Sequence, residues 1–266
     1  MRAPIIAGNW KMFKTTAETR AFVKAFRPYI EGVKDREIVL CAPFTNLEAL
    51  VEELKDGVIV AGAQNAHWEE KGAYTGEISV GMLKDIGVRY VVVGHSERRQ
   101  YFGETDETVN KRTLAVMAGG LVPISCIGET LQEREANQTF KVLERQIKEG
   151  LKNIPSPASL VIAYEPVWAI GTGKTATPAQ AEEAHHFIRQ EFGKLYGGAA
   201  ADSIRILYGG SVKPDNMAAL MKEKDIDGGL VGGASLEVES FAKIVLFDGP
   251  SPRPSPRGEG TSKVRG

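Results

Sequence analysis

Short apolar runs alternate with longer amphipathic segments along most of the chain. The apolar runs are rich in Val, Ile and Leu, which is typical of strands buried on both faces of a parallel sheet. The segments between them repeat apolar residues at steps of three and four, which predicts helices. In chain order the predicted strands read "PIIAGN", "EIVLCA", "VIVAGAQN", "RYVVVGH", "LVPISCIG", "LVIAYEP", "IRILYGG" and "GGLVGG". This alternation predicts repeated βα units in an α/β fold.

The number of strands bears on how the sheet is arranged. About eight parallel strands are the number that closes a (β/α)8 barrel. No change of composition and no linker divides residues 1–247. We therefore expect a single barrel domain over residues 1–247, with a doubly wound open sheet as the structural alternative.

The helix predicted after "GTGKT" shows how the amphipathic segments are read. Its apolar stripe, expected to face the sheet, consists of Ala184, Ile188, Phe192 and Leu195. The charged residues expected on its other faces are Glu182, Glu183 and Arg189. Thr177 and Pro178 suit the N-cap and the first helical position, so the helix is predicted to begin there.

Composition and charge exclude several classes of protein. The 266 residues carry a formal net charge of -1, which provides no basic field for nucleic acid. Cys41 and Cys126 are far apart and outside any Cys/His cluster, which disfavours a disulfide scaffold or a zinc site and fits a reducing cytoplasm. Asn9 and Lys11 interrupt the first apolar run, and no later run reaches membrane-spanning length. We expect a cytoplasmic protein with neither a nucleic-acid nor a membrane partner.

The sequence changes character at its C-terminal end. Residues 248–266 are rich in Pro, Gly, Ser and Arg and have no periodic apolar face. Such a segment cannot offset the entropy of ordering, so it is predicted to be a disordered tail. A basic arm for an acidic partner is the alternative.

Chemistry in a barrel belongs at the carboxyl ends of the strands, where the loops converge. The polar residues expected there are Asn9 and Lys11 after the first strand, His95, Ser96 and Glu97 after the fourth, and Glu165 after the sixth. The last two strands end in "YGGS" and "VGGAS", whose glycines let backbone N–H groups approach a phosphate. A carboxylate opposite an imidazole, with no metal-ligand or cofactor motif, suits proton abstraction beside a carbonyl in a small phosphorylated substrate.

The stretch "AIGTGKTATP" raises the alternative of a nucleotide-binding P-loop. A P-loop needs glycine five residues before its Gly-Lys-Thr, and Trp168 stands at that position. This substitution argues against a Mg-ATP-dependent phosphotransferase. A catalytically silent barrel stays as a third reading, although Asn9, Lys11, His95 and Glu165 occurring together count against it.

A second motif has the spacing of a metal-binding site. Glu182 with His185, and Glu183 with His186, have the Glu-x-x-His spacing of di-iron proteins. Such sites need facing helices with further carboxylates, so we expect structural roles here and no bound metal.

Several long runs together resemble the triosephosphate isomerase family, in order and in spacing, from about Ala7 to Leu236. These runs are "GNWKM", "GAYTGEIS", "VGHSERR", "CIGE", "AYEPVWAIGTGKTA", "YGGSV" and "GLVGGASL". The resemblance implies a TIM barrel, and interconversion of dihydroxyacetone phosphate and D-glyceraldehyde 3-phosphate through an enediolate without a cofactor. Phe13, where the family often has a polar residue, and the tail depart from the pattern.

The resemblance also implies roles for particular residues. Glu165 matches the base, His95 a neutral electrophile, Lys11 the stabilising cation and Asn9 a substrate-orienting donor, while Ser96 and Glu97 flank His95. This family is itself a standard worked example of pKa tuning, so the glutamate and histidine roles come from the resemblance.

The remaining implied residues hold the phosphate or belong to a second subunit. The phosphate-binding N–H groups match Gly171, Ser211, Gly232 and Gly233. A lid from Pro166 to Ala176, including Trp168, Ile170 and Gly173, would close over the substrate. A homodimer is also implied, in which Thr75 of the loop "GAYTGE" would brace the Asn9 and Lys11 region of the neighbouring subunit.

Overall fold

The structure is a computed structural model that describes residues 2–54, 57–171 and 175–248. Its strands are β1 (Ile5–Asn9), β2 (Glu37–Ala42), β3 (Ile59–Ala63), β4 (Tyr90–Val93), β5 (Val122–Ile127), β6 (Val161–Tyr164), β7 (Arg205–Tyr208) and β8 (Gly228–Val231). Each strand pairs in parallel with the next, and β8 pairs with β1, which closes a barrel. The predicted (β/α)8 fold is confirmed, and the open-sheet alternative is wrong.

Helices connect the strands and surround the barrel. Within the described ranges they are α1 (Thr16–Phe26), α2 (Leu47–Glu53), α3 (Val80–Asp85), α4 (Ser96–Phe102), α5 (Asp106–Ala118), α6 (Leu131–Glu135), α7 (Thr139–Gly150), α8 (Pro178–Tyr196), α9 (Gly198–Ser203), α10 (Met217–Leu220) and α11 (Val238–Val245). Short 3-10 turns add Arg27–Ile30, Phe44–Asn46, Pro157–Ser159, Val167–Ala169 and Gly233–Ser235.

The core consists of two layers separated by the barrel wall. Successive side chains of a strand point to opposite faces, so one set fills the barrel and the other packs against the helices. The inner layer includes Ile5 and Ala7 of β1, Val161 and Ala163 of β6, Leu207 and Leu230. The outer layer contains the alternate strand residues, such as Ile6 and Ile162, together with buried helix residues.

The same alternation determines which residues reach the mouth of the barrel. Counting two residues onward from Ala7 and Ala163 gives Asn9 and Glu165, both of which are buried. The corresponding step from Leu207 gives Gly209, and the step from Leu230 gives Gly232. The spacing that fills the barrel interior therefore also brings these four residues to one end of it.

Helix α8 confirms most of its predicted pattern. The Thr177 side chain accepts a hydrogen bond from the N–H of Gln180, and Pro178 is the first helical residue. Ala184, Ile188 and Phe192 are buried as expected, whereas Leu195 is 42% exposed. Leu195 lies in the last turn of the helix, which ends at Tyr196 before Gly197.

Arg189 was predicted to fall outside the apolar stripe of α8, and the structure nevertheless buries it. Its guanidinium is buried and pairs with Asp225 at 2.6 Å and Asp227 at 2.7 Å. Two carboxylates compensate the cost of burying this charge, which a residue-by-residue hydrophobic pattern cannot reveal.

The two Glu-x-x-His pairs also lie on α8. Nδ1 of His185 hydrogen-bonds the Asp225 carbonyl oxygen at 3.3 Å, and Nδ1 of His186 the Asp225 carboxylate at 2.8 Å. Both imidazoles thus meet one residue of the segment before β8.

The C-terminal end of the described chain contacts the residue that precedes β2. Asp248 pairs with Arg36 at 2.8 Å. The rest of the predicted tail lies outside the described residues. Among the helices that are described, none is long and apolar enough to cross a membrane.

Candidate active site

One cavity of about 440 Å³ at the mouth of the barrel contains most of the residues that the sequence singled out. Its lining includes Asn9, Lys11, His95, Glu165, Gly171, Ser211, Gly232 and Gly233. These residues come from the ends of β1, β4, β6, β7 and β8. Residues separated by more than 200 positions in the chain thus share one enclosed space.

Lys11 follows β1 in an unusual backbone conformation. Its φ is 51°, in the left-handed region that residues other than glycine rarely adopt. The Lys11 N–H donates to Oδ1 of Asn9 at 3.0 Å, and its carbonyl accepts from Gln64 at 2.9 Å. Both bonds hold the strained backbone, which is a common feature of functional sites.

The Lys11 ammonium is directed across the mouth by a carboxylate. Nζ lies 2.6 Å from Oε1 of Glu97, and both side chains are only partly exposed. An ideal Cβ built on Gly232 would lie 3.5 Å from Cε of Lys11. The cation therefore lies between the end of β4 and the glycine-rich end of β8.

His95 is the N-cap residue of helix α4. Nδ1 of its ring accepts the backbone N–H of Glu97 at 3.2 Å. A nitrogen that accepts such a bond carries no proton, so this geometry corresponds to the neutral ring with its proton on Nε2. Nε2 can then donate a hydrogen bond towards the barrel axis.

Glu165 follows β6 and is 2% exposed. Its Oε1 lies 2.8 Å from Nε2 of His95, and its Oε2 accepts the backbone N–H of Ser96 at 2.9 Å. Burial normally disfavours a carboxylate, and these two donors oppose that effect. Ser96 contributes through its backbone at the start of α4, where N–H groups are free to bind an anion.

The pKa values of the pair move in opposite directions. Burial raises the pKa of Glu165. The charge and hydrogen bond of His95 lower it by more than burial raises it, so the pKa lies below its ordinary value. Burial lowers the pKa of His95, while the neighbouring Glu165 carboxylate raises it above its ordinary value. This charge effect favours imidazolium, whereas the N–H bond to Nδ1 requires the neutral ring. The hydrogen-bond geometry decides in favour of a neutral His95 beside an ionised Glu165.

The lid predicted from Pro166 to Ala176 begins directly after Glu165. Ile170 and Gly171 line the cavity, and Ala176 is buried. Gly173 lies outside the described residues. Nε1 of Trp168 donates to Oε1 of Glu129 at 2.9 Å, which ties this part of the lid to the end of β5.

Glu129 is a residue whose importance the sequence interpretation missed. It is fully buried, and its carboxylate also accepts from the Tyr164 hydroxyl at 3.1 Å and from Arg134 at 3.1 Å. The guanidinium of Arg134 lies 4.3 Å from the centre of the Trp168 ring. The signal was present, because an acid that directly follows a buried strand in "CIGE" is a polar residue at a strand end.

The residue type of several other cavity-lining residues did not indicate that they belong to the site. Phe13 and Leu230 line the cavity and give it apolar surface. Gly209 and Gly210 also line it, yet in the sequence they were only part of a phosphate-loop motif. An ideal Cβ on Gly209 would lie 2.9 Å from Cγ of Glu165, so only glycine leaves room for that side chain in its present position.

Thr75 is exposed and does not line the cavity of its own chain, as far as the described residues extend. A neighbouring cavity of about 250 Å³ opens on the other side of Asn9, Lys11 and His95. Its rim includes Met12, Phe44 and Phe102, which are 93%, 37% and 67% exposed.

A buried carboxylate in contact with an imidazole can exchange a proton with a substrate carbon while the imidazole serves the substrate oxygens. Glycine-rich loops at β7 and β8 lie where barrels bind phosphate. Fold and site together define a barrel isomerase for small phosphorylated sugars.

Comparison with known proteins identifies the family. The family model for triosephosphate isomerase matches residues 4–247. The chain is 58% identical over 249 residues to the triosephosphate isomerase of Endomicrobium trichonymphae, covering 93% of this chain and 99% of that protein. It is 58% identical over 250 residues to that of Moorella thermoacetica, covering 93% and 100%. The crystal structure of the Bartonella henselae triosephosphate isomerase superposes with a TM-score of 0.85 at 39% identity, covering 92% of this chain and 98% of that one. The chain belongs to the triosephosphate isomerase family.

The close approach at Gly209 yields a prediction. Gly209→Ala should push the Glu165 side chain out of position, and a displacement of about 1 Å can cost roughly a hundredfold in kcat. Circular dichroism should show an intact barrel, and kcat should be measured with saturating substrate. Gly198→Ala is the matched control, because a Cβ there meets nothing within 4 Å. Near-native turnover of Gly209→Ala would show that the carboxylate tolerates the new methyl group.

Proposed function

We propose that this chain interconverts dihydroxyacetone phosphate and D-glyceraldehyde 3-phosphate, the aldose–ketose step of glycolysis and gluconeogenesis, with Glu165 and His95 as the reacting side chains. The observation that carries these two roles is their contact at 2.8 Å inside the cavity that Lys11 and the glycine-rich loops complete. Family membership supports the reaction itself.

The reaction needs a base that is ionised before substrate arrives. Although burial opposes it, Glu165 is held in this form by hydrogen bonds from Nε2 of His95 and the Ser96 N–H and by the nearby Lys11 charge, which lower its pKa. Its carboxylate takes a proton from the carbon that bears the hydroxyl of dihydroxyacetone phosphate, and the electron pair of that C–H bond forms the enediolate. The same proton, now on Glu165, is returned to the neighbouring carbon to give the aldehyde. The hydroxyl proton must also pass from the oxygen of the first carbon to the oxygen of the second. In this proposal Nε2 of His95 relays it, giving its proton to one oxygen and taking the proton of the other, so no atom enters or leaves overall.

His95 and Lys11 act on the two oxygens of the enediolate. The Nε2–H of His95 faces Glu165, so it must turn from the carboxylate to a substrate oxygen when substrate binds. A neutral ring exchanges its proton there through Nε2 alone, since its Nδ1 accepts the Glu97 N–H. The Lys11 ammonium adds positive charge, and Asn9 orients the substrate. Such charge stabilisation in a dry site is worth far more than in water.

The phosphate group lies at the opposite end of the cavity in this proposal. Ser211, Gly232 and Gly233 supply backbone N–H groups from the ends of β7 and β8, and Gly171 supplies one from the lid. Bringing a lid residue to the phosphate links closure to substrate binding.

A shortened base tests the role of Glu165. Glu165→Asp retracts the carboxylate by one methylene, about 1 Å, and should lower kcat roughly a hundredfold while KM changes far less. The measurement is a coupled assay with each triose phosphate. Unmodified protein that turned over neither substrate would refute the reaction. Native turnover by the Asp variant would refute only the assignment of the base.

The lid should protect the intermediate as well as speed its formation. An enediolate phosphate exposed to water can break its C–O bond to release inorganic phosphate, and the enol left behind becomes methylglyoxal. Deleting residues 170–173 should therefore slow isomerisation by orders of magnitude and raise the fraction of turnovers that yield methylglyoxal. The product ratio is measured beside circular dichroism. An unchanged ratio in a slower enzyme would mean that the lid only positions the substrate.

We also propose a homodimer. The cavity of about 250 Å³ beside Asn9 and Lys11 has exposed apolar side chains on its rim, and an apolar patch of this kind marks a contact surface. The loop carrying Thr75 is exposed and hence available to enter the corresponding cavity of a second copy. There it would brace the backbone of Lys11, whose left-handed conformation needs support.

Disrupting this contact should separate the two subunits, and the resulting monomers should lose activity. Thr75→Arg should give monomers by light scattering, with kcat/KM reduced by about a hundredfold or more because a loosened site misplaces its groups. Ser203→Arg, at an exposed position before β7, is the control and should stay dimeric. A fully active monomer would contradict the proposal.

The cytoplasmic location and the extent of the catalytic unit belong to the same proposal. Both thiols, Cys41 and Cys126, are free and buried, which suits a reducing compartment. The family match ends at residue 247, so we place the whole catalytic unit before the tail.

A further inference from the structure

His185 lies on α8, one layer behind the active site, and is fully buried. Its Nδ1 faces a carbonyl oxygen, that of Asp225, so Nδ1 must carry the proton and Nε2 a lone pair. Burial lowers the pKa of His185 to about 3, which keeps the ring neutral at physiological pH. The ring is thus an uncharged side chain with one fixed hydrogen bond.

The His185 ring contacts Tyr164, which is linked to the first part of the lid. His185 and Tyr164 are packed edge to face, with ring centres 5.7 Å apart at 88°. The Tyr164 hydroxyl donates to Glu129, and Glu129 holds the indole of Trp168. A continuous chain of contacts therefore runs from His185 to the lid residue Trp168.

The same ring also contacts Tyr208, which lies near both ends of the lid. His185 and Tyr208 have ring centres 6.3 Å apart, within the range of aromatic pairs. A Cβ built on Gly210 would lie 2.3 Å from the Tyr208 hydroxyl oxygen and 3.0 Å from Cγ of Pro166, which begins the lid. Burial raises the pKa of Tyr208 to about 12, and the backbone N–H of Ala176, which ends the lid, opposes that rise.

One polar atom of the His185 ring is unpaired. Within the described part of the chain, Nε2 of His185 is buried and has no hydrogen-bond partner. Leaving such an acceptor unpaired costs about 1–3 kcal/mol, so the ring is held at this position by its other contacts.

We propose that His185 is a positioning residue for isomerisation, whose ring braces Tyr164 and Tyr208 against each other and so makes the two ends of the lid move together. This inference rests on the proposed role of the lid. The ring contacts provide the coupling, whereas the bond to Asp225 serves stability.

Two substitutions separate these contributions. His185→Asn keeps an N–H near the Asp225 carbonyl and removes the ring, so kcat/KM should fall about tenfold and the methylglyoxal fraction should rise several-fold. His185→Phe keeps a ring and removes the hydrogen bond, so Tm should fall by several degrees while kcat/KM and the product fraction stay within about twofold.

His186→Asn is the matched control on the same helix, since His186 is half exposed and has no ring contact among the described aromatic pairs. It should leave kcat/KM and the product fraction unchanged. Native kinetics and product fraction in His185→Asn would overturn the inference, as would equal damage in the Asn and Phe variants or in the control. An unchanged product ratio in the 170–173 deletion would instead refute the lid, and loss of activity in the unmodified protein would refute the reaction.

Discussion

Closure of the barrel is the constraint on which the site depends. Once β8 pairs with β1, every strand has two neighbours, and the side chains of each strand divide between an interior layer and an outer layer. The residues that follow the interior layer, at the carboxyl ends of the strands, line the mouth of the barrel and not its apolar interior. Asn9, Glu165, Gly209 and Gly232 occupy that level, so packing requirements and catalytic placement follow from the same two-residue repeat.

Within this frame, the polar contacts around Glu165 serve two needs at once. A carboxylate with almost no exposure is costly unless donors compensate it, and Ser96 and His95 do so. Those donors also leave the carboxylate with a lowered pKa and the histidine within reach of the same substrate. The cost of burying Glu165 is thus offset by groups that the proposed reaction needs beside it.

The sequence predicted the strands, the barrel and the residues around the mouth because each has a local pattern. Strands appear as apolar runs, and Lys11, His95 and Glu165 directly follow such runs. The burial of Arg189 had no local signal because it depends on Asp225 and Asp227, more than 30 positions away. The close approach at Gly209 and the ring contacts of His185 were equally hidden. Both depend on distances between side chains of different strands and helices, for which the local sequence holds no signal.

The β1–β8 pairing brings the start of the barrel against its end. Ile5 lies opposite Gly228, and the same seam places Lys11 beside Gly232. A growing polypeptide emerging from the ribosome therefore contains nearly every other catalytic group before it can contain a complete site. Pairing segments so distant in sequence carries a large loss of chain entropy and is therefore slow. The interior layer stays open to water until β8 has paired with β1. A chain that lacks β8 would contain Asn9, Lys11, His95 and Glu165 but not the Gly232 and Gly233 end of the cavity, so the cavity is complete only when the barrel closes.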